Sequence, residues 1–489
     1  MFLLFTVILV VSFYYAYDIT LKWLYARQFD HFPGPPPYTS FLQGNGRTLG
    51  KVKKDNAFLE CFCSWVEDYG ETFQFRIRTR PVIFTIDPDA LKTIFSDVVN
   101  LKKVDHLPNR ALFGQKITGY KSILTGNGQS WAVKRKVVSG FFAKQNMSSL
   151  FPHMAPLMDR LLETKIKPRV NTGAPIDIHE LMTIIFSALP GVLGISCPMG
   201  VDEPEEIGKR VNVILDVIPV QFKNIFKMYG ERAMNKEMTD SLEMIFNMRL
   251  MCREMVEEKR KEMSGWDGNP DDDMLAWLIT ANDAAGLTDE EVIDDIMTVY
   301  MVSDNMSKQL SGLYTYMVNN QEIFEKMISE LRENPITDLK SLDNLKYTEM
   351  VILESLRLTP TLLKGTRWVL QDTKLGGYHV PKECQLQWSQ YCLHRNEKYW
   401  PNARKFDPER FRNGIPNVDT LTYIPFLAGP RACLGKHIAM ISMKLTLSLL
   451  ARNFDQAPQP MSGVPPEVIQ NLALIRMKGG PFYYFTPRR

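Results

Sequence analysis

Residues 426–435 read Phe426-Leu427-Ala428-Gly429-Pro430-Arg431-Ala432-Cys433-Leu434-Gly435, and an apolar run from Ile438 to Leu450 follows. A thiolate that ligates a metal needs a tight loop, so that backbone N–H groups reach its sulfur. Gly429 and Gly435 permit unusual dihedrals and close approach. The start of the following helix favours a thiolate. Arg431 offers a permanent cation to an anionic cofactor group. Taken alone, Cys433 reads better as a buried structural cysteine in a glycine-containing turn. Zinc is poorly served. Cys61 and Cys63 have no second pair at metal spacing, and Cys433 with His437 is one pair only.

Upstream segments decide between these readings. Glu354-Ser355-Leu356-Arg357 places an acid and a base at i,i+3, on one helix face. Phe406-Asp407-Pro408-Glu409-Arg410-Phe411 brings a second arginine, and His394-Arg395-Asn396 with Trp400-Pro401 leads up to it. Trp131 and Arg135 stand at i,i+4, again on one face. In order and spacing this set resembles the cytochrome P450 family, whose haem signature Phe-x-x-Gly-x-Arg-x-Cys-x-Gly is matched at every fixed position.

The resemblance covers the whole chain. It implies haem b with Cys433 as the axial thiolate ligand, in a loop with Phe426, Gly429, Arg431 and Gly435. It further implies haem carboxylate contacts from Trp131, Arg135 and Arg367, and a structural cluster of Glu354, Arg357 and Arg410. The electron push of a thiolate ligand favours O–O cleavage.

A capping box at Thr288 and Glu291 opens a helix predicted over about 289–319, roughly 45 Å long. By resemblance it carries the oxygen-activating motif, here Met301-Val302-Ser303-Asp304-Asn305-Met306. Asp304 keeps the family's acid. Val302 replaces the glycine that gives dioxygen room, and Asn305 replaces the threonine that helps supply protons. Asn305 can donate a hydrogen bond but cannot act as a hydroxyl relay. Asp304 and Asn305 are the catalytic candidates, although Lys308 at i,i+4 could hold Asp304 in a salt bridge. The pocket candidates are Met301, Val302, Thr361, Leu362, Leu363, Ala473 and Leu474, each with core packing as its alternative.

The chain has 489 residues, 45% of them apolar or aromatic and 23% charged. That excludes a disordered chain and a multi-spanning membrane protein. A net charge of +3 is no nucleic-acid signature. Seven cysteines are too few for a disulfide scaffold and fit reduced thiols in a cytosol-facing protein. Residues 2–17 carry no charge and end at Asp18. Lys22 and Arg27 follow, which places the main body in the cytosol. A cleaved signal peptide lacks its charged start and its cleavage site. We therefore divide the chain into an anchor and linker over 1–28 and a haem-thiolate domain over 29–489, with a stiff proline hinge at 33–37.

The expected fold is mainly α with a minor β-sheet: one large haem domain behind a single transmembrane anchor. An early hairpin is predicted from the alternation Phe73, Phe75, Ile77 and the run Val82 to Ile86. Neither Gly44-x-Gly46 nor Gly126-x-Gly128 is a Rossmann fingerprint, so no reductase domain is expected within the chain.

What the resemblance implies for function follows. The expected activity is a monooxygenase at the endoplasmic reticulum membrane. It would act on a lipophilic, sterol- or fatty-acid-like substrate, with electrons from a separate NADPH-dependent flavoprotein reductase and cytochrome b5 as a further donor. Lys134, Lys136 and Lys436 would face an acidic flavoprotein. The opening Pro-Gly-Pro-Pro, residues 65–70 and the spacing over 365–381 resemble cholesterol 24-hydroxylase-like members. Two other readings stay open: an isomerase or lyase acting on lipid hydroperoxides, which Val302 and Asn305 favour, and a haem-binding carrier or sensor. Asn146-Met147-Ser148 and Asn305-Met306-Ser307 fit the glycosylation pattern, which a cytosolic body leaves unmodified.

Overall fold

The computed structural model describes residues 2–36, 43–54, 57–103, 119, 121–142, 147–192, 195, 236–264, 273–416, 420–459, 467–471, 474–478 and 480–488. Pro37, Asn146, Cys197 and Ala473 lie outside these residues, and the side chain of Leu474 is likewise not described.

Helix α1 runs over Phe2–Arg27 and does not stop at Asp18. Lys22 bonds Asp18 one turn back at 2.5 Å and carries the helix through the charges. Its stretch Phe5–Arg27 is long and apolar enough to cross a membrane, and the side chains over 5–17 and 19–24 are exposed. The end of α1 is fastened to the body. Ala26 and Phe29 are fully buried, Phe32 stacks on Tyr378 at 4.7 Å, and the Tyr25 hydroxyl donates to the Lys382 carbonyl at 2.7 Å.

The hairpin forms as predicted. Strands β1 (Thr72–Ile77) and β2 (Arg80–Thr85) pair antiparallel with Phe73 opposite Phe84. Strand β3 (Leu101–Lys102), β4 (Gly365–Val369) and β5 (Gln385–Trp388) complete a five-stranded sheet ordered β1-β2-β5-β4-β3. A core of Phe62, Trp65, Phe73, Phe75, Phe84 and their neighbours joins this sheet to α2 (Phe58–Tyr69) and α3 (Pro88–Ser96).

The larger core is helical. It gathers α4 (Gly128–Phe141), α5 (Ile178–Ser187), α6 (Lys236–Met263) and α7 (Met274–Ala284) around α8 (Asp289–Val318). The predicted capping box is present: the Thr288 N–H donates to Glu291 at 3.0 Å. Acids crowd the first turns of α8, where the helix dipole favours them, and arginines of α6 cover them. Arg249 bonds Glu290 and Asp294, and Arg260 bonds Asp289. Helices α9 (Lys346–Leu358), α10 (Gln390–Leu393) and α11 (Lys436–Asn453) close the far side. Cys61, Cys63, Cys384, Cys392 and Cys433 form no disulfide. The Asn305 glycosylation sequon lies inside α8, and such a position is no glycan acceptor.

Candidate active site around Cys433

Cys433 sits between a short 3₁₀ turn, Gly429–Arg431, and the start of α11. Its N–H donates to the Phe426 carbonyl at 2.8 Å, which closes the loop. Gly429 is at φ +67°, and a Cβ there would lie 2.5 Å from the Phe95 carbonyl oxygen. Only glycine meets both demands. Gly435 is different from the expectation: its φ is −76°, open to any residue. Its N–H bonds the Cys433 sulfur. Burial pushes the Cys433 thiol up, while the Gly435 N–H and the Arg135 guanidinium pull the other way. Coordination to a metal ion removes the proton outright. Arg135 donates to the Ala432 carbonyl, next to Cys433.

Protein encloses Cys433 on nearly every side, yet the residue is exposed. Such a sulfur faces an opening inside the fold. On α8 the flanking residues are buried, but Val302 is 39% exposed. Asn305, one turn on, is half-buried, and its carbonyl accepts from Thr361 at 3.3 Å. The structure thus brings Val302, Asn305 and Thr361 together, with Leu362 beside them. Met301 and Leu363 do not join. Met301 packs into the helical core at 7% exposure and Leu363 into the sheet core at 1%. The helix phase turns Met301 about 100° away from Val302.

Asp304 is also turned inward. Its carboxylate lies 2.6 Å from the Lys308 ammonium and accepts from Ser307 at 2.6 Å. Burial alone would raise its pKa, but Lys308 and Ser307 reverse this and hold it below the ordinary value. An ionised, paired carboxylate is a poor proton donor. The salt-bridge reading of Asp304 is the one the geometry supports.

Glu354, Arg357 and Arg410 meet as expected. Arg357 bonds Glu354 twice, at 2.7 and 2.9 Å, and neither side chain is exposed. Its other three N–H groups go to the carbonyls of His394, Ala403 and Lys405. All five guanidinium donors are used. Arg410 lies 3.5 Å from Glu354, and the Asp407 N–H bonds the same carboxylate at 2.7 Å. Burial raises the Glu354 pKa, and Arg357 opposes it. His394 accepts from the Ile424 N–H at 2.9 Å, so the lock reaches the segment that leads into the Cys433 loop.

Arg431 and Arg367 are both buried cations. Arg431 lies 3.4 Å over the Trp131 ring and donates to the Gly126 carbonyl at 2.7 Å. Arg367 lies 5.0 Å from the Trp388 ring. The Trp131 N–H donates to the Ile123 carbonyl at 3.1 Å. Trp388, absent from the sequence reading, has a buried indole nitrogen with no partner among the described residues.

Lys134 corrects a further expectation. It is 1% exposed and pairs with Asp295 of α8 at 3.2 Å, so it cannot face a partner protein. Lys136 and Lys436 are exposed.

A sequence model described as Cytochrome P450 matches residues 33–484. The chain belongs to the cytochrome P450 family. Its relatives include secologanin synthase 2 of Catharanthus roseus, 24% identical over 80% of this chain and 77% of the relative. Cytochrome P450 3A25 of Mus musculus is 24% identical over 82% of each chain. Thromboxane-A synthase of Sus scrofa is 23% identical over 96% of this chain and 95% of the relative. As a cytochrome P450 the chain is a haem-thiolate oxidoreductase of the monooxygenase class. The residues fit the group: an enclosed thiol that faces an opening, an N–H on its sulfur, and buried cations nearby for the haem carboxylates.

Proposed function

We propose that this cytochrome P450 inserts one oxygen atom of O₂ into a lipophilic, sterol- or fatty-acid-like substrate. The observation that carries the substrate class is Val302. It is a bare apolar step on a helix whose neighbouring side chains are buried, and it lies beside a loop held to Asn305 by Thr361. Cys433 would hold haem b, and the bound haem would supply the oxygen chemistry. A separate NADPH-dependent flavoprotein reductase, aided by cytochrome b5, would deliver electrons to the face that carries Lys136 and Lys436. Helix α1 would hold the body on the cytosolic side of the endoplasmic reticulum membrane.

In this reading Asn305 and Asp304 divide the work. The half-buried Asn305 amide holds water or substrate by hydrogen bonds. Asp304, paired with Lys308, fixes this turn of α8. Val302 and Leu362 shape the apolar wall and keep bulk water out.

The Asp304–Lys308 pair also favours a second reading, a haem-thiolate isomerase or lyase for lipid hydroperoxides. That chemistry takes oxygen from the substrate and needs no proton donor on α8. One experiment separates them. Haem-loaded protein is given a lipid hydroperoxide without reductant, and in parallel NADPH, reductase, O₂ and a panel of sterols and fatty acids. Product only in the second arm, labelled from ¹⁸O₂, upholds the monooxygenase. Rapid rearrangement in the first arm overturns it.

A further inference from the structure

Two arginine–tryptophan pairs lie near the Cys433 loop, and one atom distinguishes them. In the first, Arg431 covers Trp131, whose N–H is committed to the Ile123 carbonyl. In the second, Arg367 faces Trp388, whose N–H meets no acceptor among the described residues, although Trp388 is only 1% exposed. Buried tryptophan N–H groups normally find a partner, and leaving one unmade is unfavourable.

The indole cannot turn to find one. It lies flat on strand β4, where a Cβ on Gly365 would come within 2.0 Å of the ring. Phe95 meets its other side edge-on at 5.2 Å. The carbonyl of Phe95 is the one against which Gly429 of the Cys433 loop is packed. Trp388 is therefore a fixed donor, beside a buried cation and one residue removed from the cysteine loop. A neutral N–H on a ring that carries a guanidinium 5.0 Å from its centre offers a carboxylate both a donor and a counter-charge.

We infer that Trp388 is a further haem-binding residue, its N–H donating to the haem carboxylate that Arg367 neutralises. Trp131, covered by Arg431, lies at the other arginine–tryptophan pair. This rests on the haem-thiolate reading of Cys433.

The test uses full-length, haem-loaded protein. Trp388→Phe keeps the ring and removes the donor; Trp388→His returns a donor. Haem transfer to excess apomyoglobin is expected to be about tenfold faster in W388F, with partial rescue in W388H. The propionate bending band in the resonance Raman spectrum should shift in W388F alone. An unchanged band and transfer rate in W388F overturns the inference. If W388F does not fold, ultraviolet Raman of the wild type before and after haem loading decides. One of eight tryptophans should gain an N–H hydrogen bond on loading, and no change counts against Trp388. The reduced-CO spectrum of the wild type is read separately. Lack of the thiolate band there overturns the Cys433 reading itself.

Discussion

Asp304 and Lys308 form an ion pair one turn apart on α8, with Oδ2 and Nζ separated by 2.6 Å and both side chains about 5–6% exposed. Removal of one partner leaves a buried charge. Lys308→Met is therefore expected to destabilise the fold by about 3–5 kcal/mol. Asp304→Asn/Lys308→Met should recover most of that loss, since neither charge remains. Urea unfolding of the two variants beside the wild type checks this.

The pair also bears on turnover. Lys308 holds Asp304 ionised, so Asp304→Asn is expected to reduce turnover by less than about tenfold, below the 10²–10⁴-fold typical of a general acid. A larger loss, at unchanged haem content and unchanged unfolding midpoint, would restore Asp304 to the proton path.

Gly429 and Gly435 should behave unequally. Gly429→Ala meets both a left-handed φ of +67° and the Phe95 carbonyl at 2.5 Å, and is expected to abolish the reduced-CO thiolate band. Gly435→Ala puts a methyl in ordinary contact, 3.8 Å from the Cys433 sulfur at φ −76°, and should retain it. Spectra of the two purified variants are the comparison.

His394 predicts an acid sensitivity. Burial, with Arg357 nearby, lowers its pKa from 6.5 to about 3. The folded state keeps it neutral while the unfolded chain takes a proton. Its contribution is present above about pH 6.5 and falls away toward pH 3, by about 1.4 kcal/mol per unit. Asp295, which burial raises from 3.8 to about 6, acts in the opposite sense. It favours the folded state as pH falls from 6 to 3.8. His394→Gln keeps an acceptor for the Ile424 N–H and should make the unfolding midpoint less sensitive to acid between pH 6.5 and 4. An identical profile in both proteins would count against this.

Lys134 and Lys136 make a paired prediction. Lys134→Met strands Asp295 in the interior and should lower stability. Lys136→Glu should leave stability unchanged and weaken reductase-supported turnover at low salt, since exposed charges act over a Debye length. Equal effects of both on stability would refute the assignment.

The Cys433 loop and the Glu354–Arg357 pair were legible in the sequence because their chemistry tolerates few residue types. A guanidinium with five committed donors, or a thiol in a closed glycine loop, leaves a dense pattern. Helix phase was less legible. Met301 and Val302 are adjacent apolar residues, and only packing against the core separates the buried one from the open one. Lys134 and Lys136 differ in the same way, since no local signal marks a lysine that finds Asp295 some 160 residues later. Trp388 could have been suspected from its alignment with Gly365 across two strands, but the strand pairing is a tertiary fact. Helix α1 continues past the uncharged stretch 2–17 because Asp18 and Lys22 neutralise each other one turn apart, which fits the anchor and linker read over 1–28.

The junction between α1 and the sheet has a practical reach. Tyr25, Ala26, Phe29 and Phe32 belong to the body's packing although they precede the proline run. The proline segment is therefore not the seam at which the two parts separate. A shortened protein begun at residue 33 would strip a ring from Tyr378 and uncover part of the sheet core, whereas one begun near residue 24 would keep that surface sealed. The end of α1 is thus joined to the sheet by packing as well as by the chain itself, like a mast stepped into a keel.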